Sequence, residues 1–465
     1  MRSDVTFRVA VVGAGPAGIY ASDILSRALP GTEIDLFDRL PAPYGLVRYG
    51  VAPDHPRIKA IVGALDKILA RGDIRLVGNV EIGDAENGLS VAELGRYYDA
   101  VVLATGAIRD ADLPIPGIDL PGSFGAADFV SWYDAHPDYP SAWPLEAREI
   151  AVIGAGNVAL DVARMLAKHP RDLASTEIPE QVMRGLEASP VTDVHVFARR
   201  GPAQAKFSPL ELRELGHVPD VDVLVDPEDF QFDAGSEEAM ASSNQTKQVV
   251  ATLMDWALVD PSASTASRRI HLHFLHRPVE VLGGVDDDGV TRVAGLRTER
   301  TELVGDGTAR GTGVLVDTPV QAVYRAVGYF GSPVPGVPFD DARGVIPNAG
   351  GRVLDDAGRP VPGLYATGWI KRGPVGLIGS TKSDAQETIR HLSEDLASGI
   401  ALGSTPRSDE DVVEVLASRG IPVVTWEGWE LLQAHERALG AEQGRERVKV
   451  TTRQEMTDIS RGARV

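Results

Sequence analysis

Val9-Ala10-Val11-Val12-Gly13-Ala14-Gly15-Pro16-Ala17-Gly18 puts a β-branched apolar run directly before a glycine-spaced turn, and a small-residue helical pattern follows. That context gives the spacing meaning. Glycine permits a tight turn and close backbone approach, so free N–H groups at a helix start can meet a pyrophosphate. Glu33-Ile34-Asp35-Leu36-Phe37-Asp38 then reads as a second strand, ending with Asp38 twenty residues past Gly18. A carboxylate at that place can accept both ribose hydroxyls of a dinucleotide.

The pattern recurs. Glu149-Ile150-Ala151-Val152-Ile153 runs into Gly154-Ala155-Gly156-Asn157-Val158-Ala159, and the later strand Val194-His195-Val196-Phe197 ends in Ala198-Arg199-Arg200-Gly201. Two guanidinium groups stand where the first copy has an acid. Asp38 would repel a 2′-phosphate, so an unphosphorylated ribose such as that of FAD fits the first copy. Arg199 and Arg200 can each form charge-assisted bonds to a 2′-phosphate worth roughly 1.5–3 kcal/mol, which together would favour NADP over NAD by about two to four powers of ten. Solvated arginines at a strand end are the plain alternative.

Composition narrows the chemistry further. None of the 465 residues is cysteine, which excludes disulfides, thiolate metal sites, an internal iron–sulfur cluster and a redox-active dithiol. Electrons reaching a flavin would have to leave directly. Net charge is 46 − 66 = −20, which argues against nucleic acid or an anionic membrane as partner. The acidic runs at 226–229, 233–238 and 286–288 read as solvated loops. The apolar run Val9 to Ala21 is interrupted by glycines and Pro16 and is too short to cross a bilayer, so a soluble cytoplasmic protein without a signal peptide is expected.

Strands and breakers divide the chain into a first part, 1–106, closing on Val101-Val102-Leu103-Ala104-Thr105-Gly106; a middle part, 107–328, entered through Leu113-Pro114-Ile115-Pro116-Gly117; and a last part, 329–465. Within the last part, Tyr365-Ala366-Thr367-Gly368-Trp369 echoes Ala104-Thr105-Gly106. The echo implies a return to the first domain. The expected fold is α/β, with two Rossmann-like three-layer domains, the FAD domain discontinuous and the NADP domain inserted into it. A helix is expected over about 384–398, with Ser383 and Gln386 as a capping box and Ala385, Ile389, Leu392 and Leu396 on its buried face. Trp426 and Trp429 are expected to pack the tail.

Long stretches of the chain then resemble the ferredoxin–NADP reductases of the adrenodoxin-reductase type. The resemblance rests on residues 13–18, on Pro43-Tyr44-Gly45-Leu46-Val47-Arg48 with Gly50-Val51-Ala52-Pro53-Asp54-His55-Pro56, and on Gly156-Asn157-Val158-Ala159-Leu160-Asp161-Val162-Ala163-Arg164. It continues through Arg199-Arg200-Gly201-Pro202, Leu210-Glu211-Leu212-Arg213-Glu214-Leu215 and Gly368-Trp369-Ile370-Lys371-Arg372-Gly373-Pro374. Asp38 departs from the Glu that many members carry. By resemblance, FAD would be contacted by Gly13, Ala14, Gly15, Pro16, Ala17, Gly18, Asp38, Leu46, Ile82, Trp369 and the Gly376-Leu377-Ile378 backbone. NADP would be contacted by Gly156, Asn157, Val158, Ala159, Arg199, Arg200, Glu211 and Gly376.

The same resemblance gives His55, Asp161 and Glu214 tuning and positioning roles. Without it, His55 is a lone loop histidine, Asp161 is explained by its helix and by pairing with Arg164, and Glu214 joins Glu211 on a solvated charged face. The implied reaction is hydride transfer from NADPH to FAD, with the reacting atoms about 3–3.5 Å apart, then single electrons to a ferredoxin-type iron–sulfur protein. A transient docking surface is expected among Arg48, Arg57, Arg213, Lys371 and Arg372. A flavin monooxygenase, a diaphorase with another acceptor and a non-catalytic dinucleotide sensor remain open at this level.

Overall fold

The computed structural model describes residues 6–83, 86–260, 262, 264–375, 378–402 and 407–462. The chain divides into two compact units. One comprises Met1–Arg109, Asp134–Asp138 and Tyr329–Val465, and the other Asp110–Tyr133 and Tyr139–Gly328.

The first unit is built on a seven-stranded sheet in the order Asn348–Ala349, Arg352–Leu354, Pro360–Ala366, Ala100–Leu103, Arg8–Val12, Glu33–Phe37, Arg75–Val77. From Pro360–Ala366 onward the neighbours are parallel. Alternation along Arg8–Val12 explains why that strand is apolar from Val9 to Val12. Val9 and Val11 enter one core with Ile19, Leu25, Leu392 and Trp429, while Ala10 and Val12 enter another with Phe37, Val101 and Leu416. Both faces are covered, so both sets of side chains must be apolar.

Helix Pro16–Ala28 opens with proline at its first turn, where the missing N–H costs nothing, and it packs against helix Ile378–Ala397. The latter begins before the expected 384. Ser383 lies inside it and donates back to the Ser380 carbonyl at 3.0 Å, so the expected capping box is replaced by an intrahelical bond. Its expected apolar face is correct: Ala385, Ile389, Leu392 and Leu396 are all buried.

In the second unit, six parallel strands run in the order Val221–Val225, Arg268–His273, Asp193–Phe197, Glu149–Ile153, Ala322–Arg325, Ser123–Gly125. An antiparallel ribbon of His276–Val285, Thr291–Leu303 and Ala309–Thr318 accompanies them. Asp229 corrects the reading of 226–229 as solvated. It is buried, accepting from Phe274 N–H at 2.7 Å and pairing with Arg300 at 2.7 Å.

Among the described residues, no helix is long and apolar enough to cross a membrane.

Candidate functional site

In each sheet the central strand runs straight into a glycine turn. In the first unit, Arg8–Val12 lies between Glu33–Phe37 and Ala100–Leu103, so its carboxyl end is where the strand order reverses. Crevices at such points receive ligands in open α/β sheets. Gly13 has φ 107°, and a Cβ there would sit 2.5 Å from the Ala104 carbonyl oxygen. At Gly18 a Cβ would sit 1.9 Å from the Gly13 carbonyl oxygen. Gly15 caps the helix without any side-chain hydrogen bond, Pro16 is its first residue, and Ala17 is buried beneath it. Several other helices are instead capped by a hydroxyl, from Ser208, Ser243, Thr425 and Thr452. The first-turn N–H groups after Gly15 are thus left to an outside acceptor.

Asp38 lies at the end of Glu33–Phe37, buried, and its carboxylate turns onto the motif itself. Oδ2 accepts the Ala14 N–H at 2.8 Å and Oδ1 the Leu40 N–H at 2.9 Å. Burial raises its pKa, and the two backbone bonds work in the other direction. Leu46 opens the short helix Leu46–Tyr49. Ile82 is a buried core residue in the strand Glu81–Ile82. Trp369 follows Gly368, whose φ of 76° and close approach to Ala17 leave no room for a Cβ. Gly376 and Leu377 lie outside the described residues, and Ile378 is the first residue of its helix. His55 is buried at the N-terminal boundary of helix Pro56–Lys59.

Sequence reasoning missed Asp384. Its carboxylate accepts the Gly368 N–H at 2.5 Å and the Thr367 hydroxyl at 3.2 Å, and pairs with Lys371 at 2.9 Å. This overturns Lys371 as a docking residue, because it is buried and held by Asp384 and Glu387. Arg48 is overturned for the same reason: it is buried against Glu436. Arg57 and Arg213 are exposed and Arg372 is half-buried.

In the second unit, Gly154 takes the tight position, with φ 157° and a hypothetical Cβ 2.3 Å from the Ala326 carbonyl oxygen. Gly156 precedes helix Asn157–Ala167, again without a side-chain cap. Asn157 Oδ1 accepts the Ser208 N–H at 2.8 Å, and Lys206 N–H donates to the Ala155 carbonyl at 2.8 Å, so the turn is braced from the loop before helix Pro209–Leu215. Val158 is half-buried and Ala159 buried. Asp161 pairs with Arg164 at 2.7 Å, as the helix spacing predicts. Glu211 is buried in the first turn of Pro209–Leu215, contrary to the solvated face expected for it, and Glu214 is half-buried.

Arg199 is exposed and Arg200 half-buried just beyond Asp193–Phe197. Their carbonyls are occupied, by the Thr301 hydroxyl at 2.8 Å and the Leu275 N–H at 3.2 Å. Their guanidinium groups form no ion pair with any described residue. In a chain of net charge −20, two adjacent free arginines at a strand end suit an anionic ligand.

This architecture, two parallel sheets each with a glycine turn at the end of a central strand, defines a class of dinucleotide-binding oxidoreductases, and residues 7–195 match the family model described as pyridine nucleotide-disulphide oxidoreductase. The chain is 41% identical to the NADPH-ferredoxin reductase FprA of Mycobacterium tuberculosis over 470 residues, covering 98% of this chain and 99% of the relative. It is 38% identical to the mitochondrial NADPH:adrenodoxin oxidoreductase of Homo sapiens, covering 97% of this chain and 91% of the relative. The solved structure of Mycobacterium tuberculosis FprA in complex with NADPH matches with a TM-score of 0.90 at 40% identity, over 98% of this chain and 100% of that one. The chain belongs to the FprA/adrenodoxin-reductase family of NADPH-ferredoxin reductases.

Proposed function

We propose that this protein is an NADPH-ferredoxin reductase that holds FAD in its first unit and NADP(H) in its second, and passes electrons from NADPH to a ferredoxin-type iron–sulfur protein. In domain terms, 1–106 and 329–465 form the FAD-binding part and 107–328 the inserted NADP-binding part. FAD, when bound, supplies acceptance of a hydride and release of electrons one at a time. The lack of cysteine leaves no thiol in the chain to take those electrons, which agrees with a separate carrier as acceptor.

The residues fit both groups. Gly13 and Gly18 allow a close backbone approach that a Cβ at either would block, and Gly15 stands at an uncapped helix start suited to a pyrophosphate. Asp38 tolerates an unphosphorylated ribose and repels a 2′-phosphate. Leu46, Ile82, Trp369 and the Gly376-Leu377-Ile378 backbone complete the set proposed for FAD, with Asp384 holding the Gly368 turn. Gly156, Asn157, Val158, Ala159 and Glu211 are proposed for NADP, with Arg199 and Arg200 on its 2′-phosphate. His55, Glu214 and Asp161 are proposed to tune and position.

One observation carries the choice of NADPH: two neighbouring guanidinium groups without an ion-pair partner among the described residues, at the strand end where the first unit carries a carboxylate. The test is anaerobic addition of NADPH and of NADH to the purified protein while flavin absorbance is followed, with ferredoxins and cytochrome c added afterwards. Fast bleaching by NADPH, slow bleaching by NADH and cytochrome reduction only with a ferredoxin are the expected results. Bleaching followed by oxygen consumption coupled to an organic product would point to a monooxygenase, and binding without bleaching to a sensor.

A further inference from the structure

The turn at 41–50 rests on the first glycine motif in a conformation that ordinary residues avoid. Tyr44 has φ 84° and Gly45 φ 48°, and a non-glycine residue persists there only where its surroundings over-determine it. Tyr44 N–H donates to the Ala14 carbonyl at 2.8 Å, and a Cβ on Gly45 would lie 3.2 Å from Gly15 Cα. Displacing this turn therefore displaces the wall of the motif.

The groups that hold the turn come largely from the far end of the chain. Trp429 Nε1 donates to Tyr44 Oη at 3.3 Å, and the two rings meet edge-on with centres 5.7 Å apart. Glu436 accepts from both terminal nitrogens of Arg48, at 3.0 and 2.5 Å. The same guanidinium lies 5.2 Å from the centre of a Trp429 ring. Lys449 Nζ donates to the Arg48 carbonyl at 2.7 Å, and Glu436 accepts the Val450 N–H at 2.9 Å. Arg48, Glu436, Lys449 and Trp429 are all buried. Packing apolar residues in place of a buried ion pair is often neutral or stabilising, so a charged cluster is a poor choice for stability alone. What it adds is a fixed geometry, and that geometry is delivered to the turn on which the motif leans.

We propose that helix Trp426–Glu442 and the segment through Lys449 form a latch that sets how long the first motif retains its dinucleotide. Glu436 and Trp429 are its positioning residues, acting through Arg48 and Tyr44. The inference rests on the reading that the first unit holds FAD. Loss of the Glu436 charge leaves Arg48 buried without its partner and frees the turn to relax, and the flavin site opens with it.

The test measures FAD release from purified holoprotein by the fluorescence of liberated flavin, at a temperature well below the melting point of every variant used. Glu436→Gln is expected to release FAD about tenfold faster than the parent, and Trp429→Phe, which keeps one aromatic ring and removes the five-membered ring with its N–H, about threefold faster. Glu436→Asp retains the charge and is expected to restore most of the difference. A merely structural role lowers the melting temperature and leaves release from the folded protein unchanged. If the parent binds FAD and both Glu436→Gln and Trp429→Phe release it at the parental rate, the latch is overturned while the FAD reading stands. If the parent takes up no FAD, both fall. Should Glu436→Gln fail to fold, Trp429→Phe alone decides the matter.

Discussion

The two strand ends behind the glycine turns differ in more than the sign of their charge. In the first unit, Asp38 is buried and its oxygens already accept the Ala14 and Leu40 N–H groups. In the second, Arg199 and Arg200 reach outward with no ion-pair partner among the described residues. The first end is tied into the architecture by those bonds; the second is tied by no ion pair among the described residues. On the proposed reading the first would select by exclusion, refusing a phosphate, and the second by attraction.

The sharpest way to break this contrast is to remove the free charges. Arg199→Ala with Arg200→Ala is expected to lower the preference for NADPH over NADH, measured as a ratio of kcat/KM values, by about two to four powers of ten. Activity with NADH should change little. An unchanged ratio would make the arginines ordinary surface charge.

Glycine substitutions sharpen the comparison next. Gly18→Ala forces a Cβ against the Gly13 carbonyl oxygen at 1.9 Å, so a loss of about 3 kcal/mol in chemical denaturation, with loss of flavin uptake, is expected. Gly156→Ala meets nothing within 4 Å. Its stability should stay within about 0.5 kcal/mol of the parent, while NADPH affinity is expected to fall on the proposal that the backbone there meets the pyrophosphate.

Acid separates the two units by mechanism. In the second, His195 and His271 stack with ring centres 4.4 Å apart, and His195 Nδ1 lies 3.0 Å from His273 Nε2. Burial first, then neighbouring positive charge, pushes His195 and His276 down to about 4. Below an unfolded value near 6.5 the unfolded chain takes up protons that these native rings refuse. Their contribution to stability is therefore complete above 6.5 and is lost as pH falls toward 4, by roughly 2 kcal/mol per histidine at pH 5. Asp38, raised by burial, works in the opposite sense: protonation favours the native form. His136 in the first unit is also pushed down to about 4, mainly by burial, so the informative quantity is a difference. Melting temperature should fall less between pH 7 and pH 5 in His195→Phe than in the parent.

A modest effect is expected of Asp38→Asn. Its single amide oxygen can replace only one of the two acceptors now used by Ala14 and Leu40, which costs about 1 kcal/mol, and denaturant midpoints would register it. If this variant gained affinity for a 2′-phosphorylated dinucleotide in the first unit, exclusion by charge would be supported directly.

Both strand–glycine–helix units were legible in the sequence because their signals are local: apolar runs, glycine spacing and the charge at a strand end all fall within short windows. The buried face of helix Ile378–Ala397 was legible from its period for the same reason. Long-range partners were not. Nothing near Arg48 announces Glu436, nothing near Lys371 announces that Asp384 will bury it, and in sequence both read as solvent-facing for lack of a visible counter-charge. Asp229 and Glu211 were misjudged alike, since burial of an acid depends on which distant elements cover it. The antiparallel ribbon 276–318 went unread because its strands are half-exposed and weakly patterned. Residues 134–138 joined the first unit without any local sign, through Lys59, Lys449 and Arg453 gripping Asp134 and Asp138.

The strand order has a consequence for biosynthesis. Every strand of the second sheet lies between Ser123 and Arg325, whereas the first sheet needs Pro360–Ala366 and its core needs residues as late as Ile459. During translation the inserted half can therefore close while Ala100–Leu103 still presents a bare edge to solvent or to a chaperone. The usual order, earlier domain first, is reversed here, and strand Arg8–Val12 leaves the ribosome long before the last members of its core.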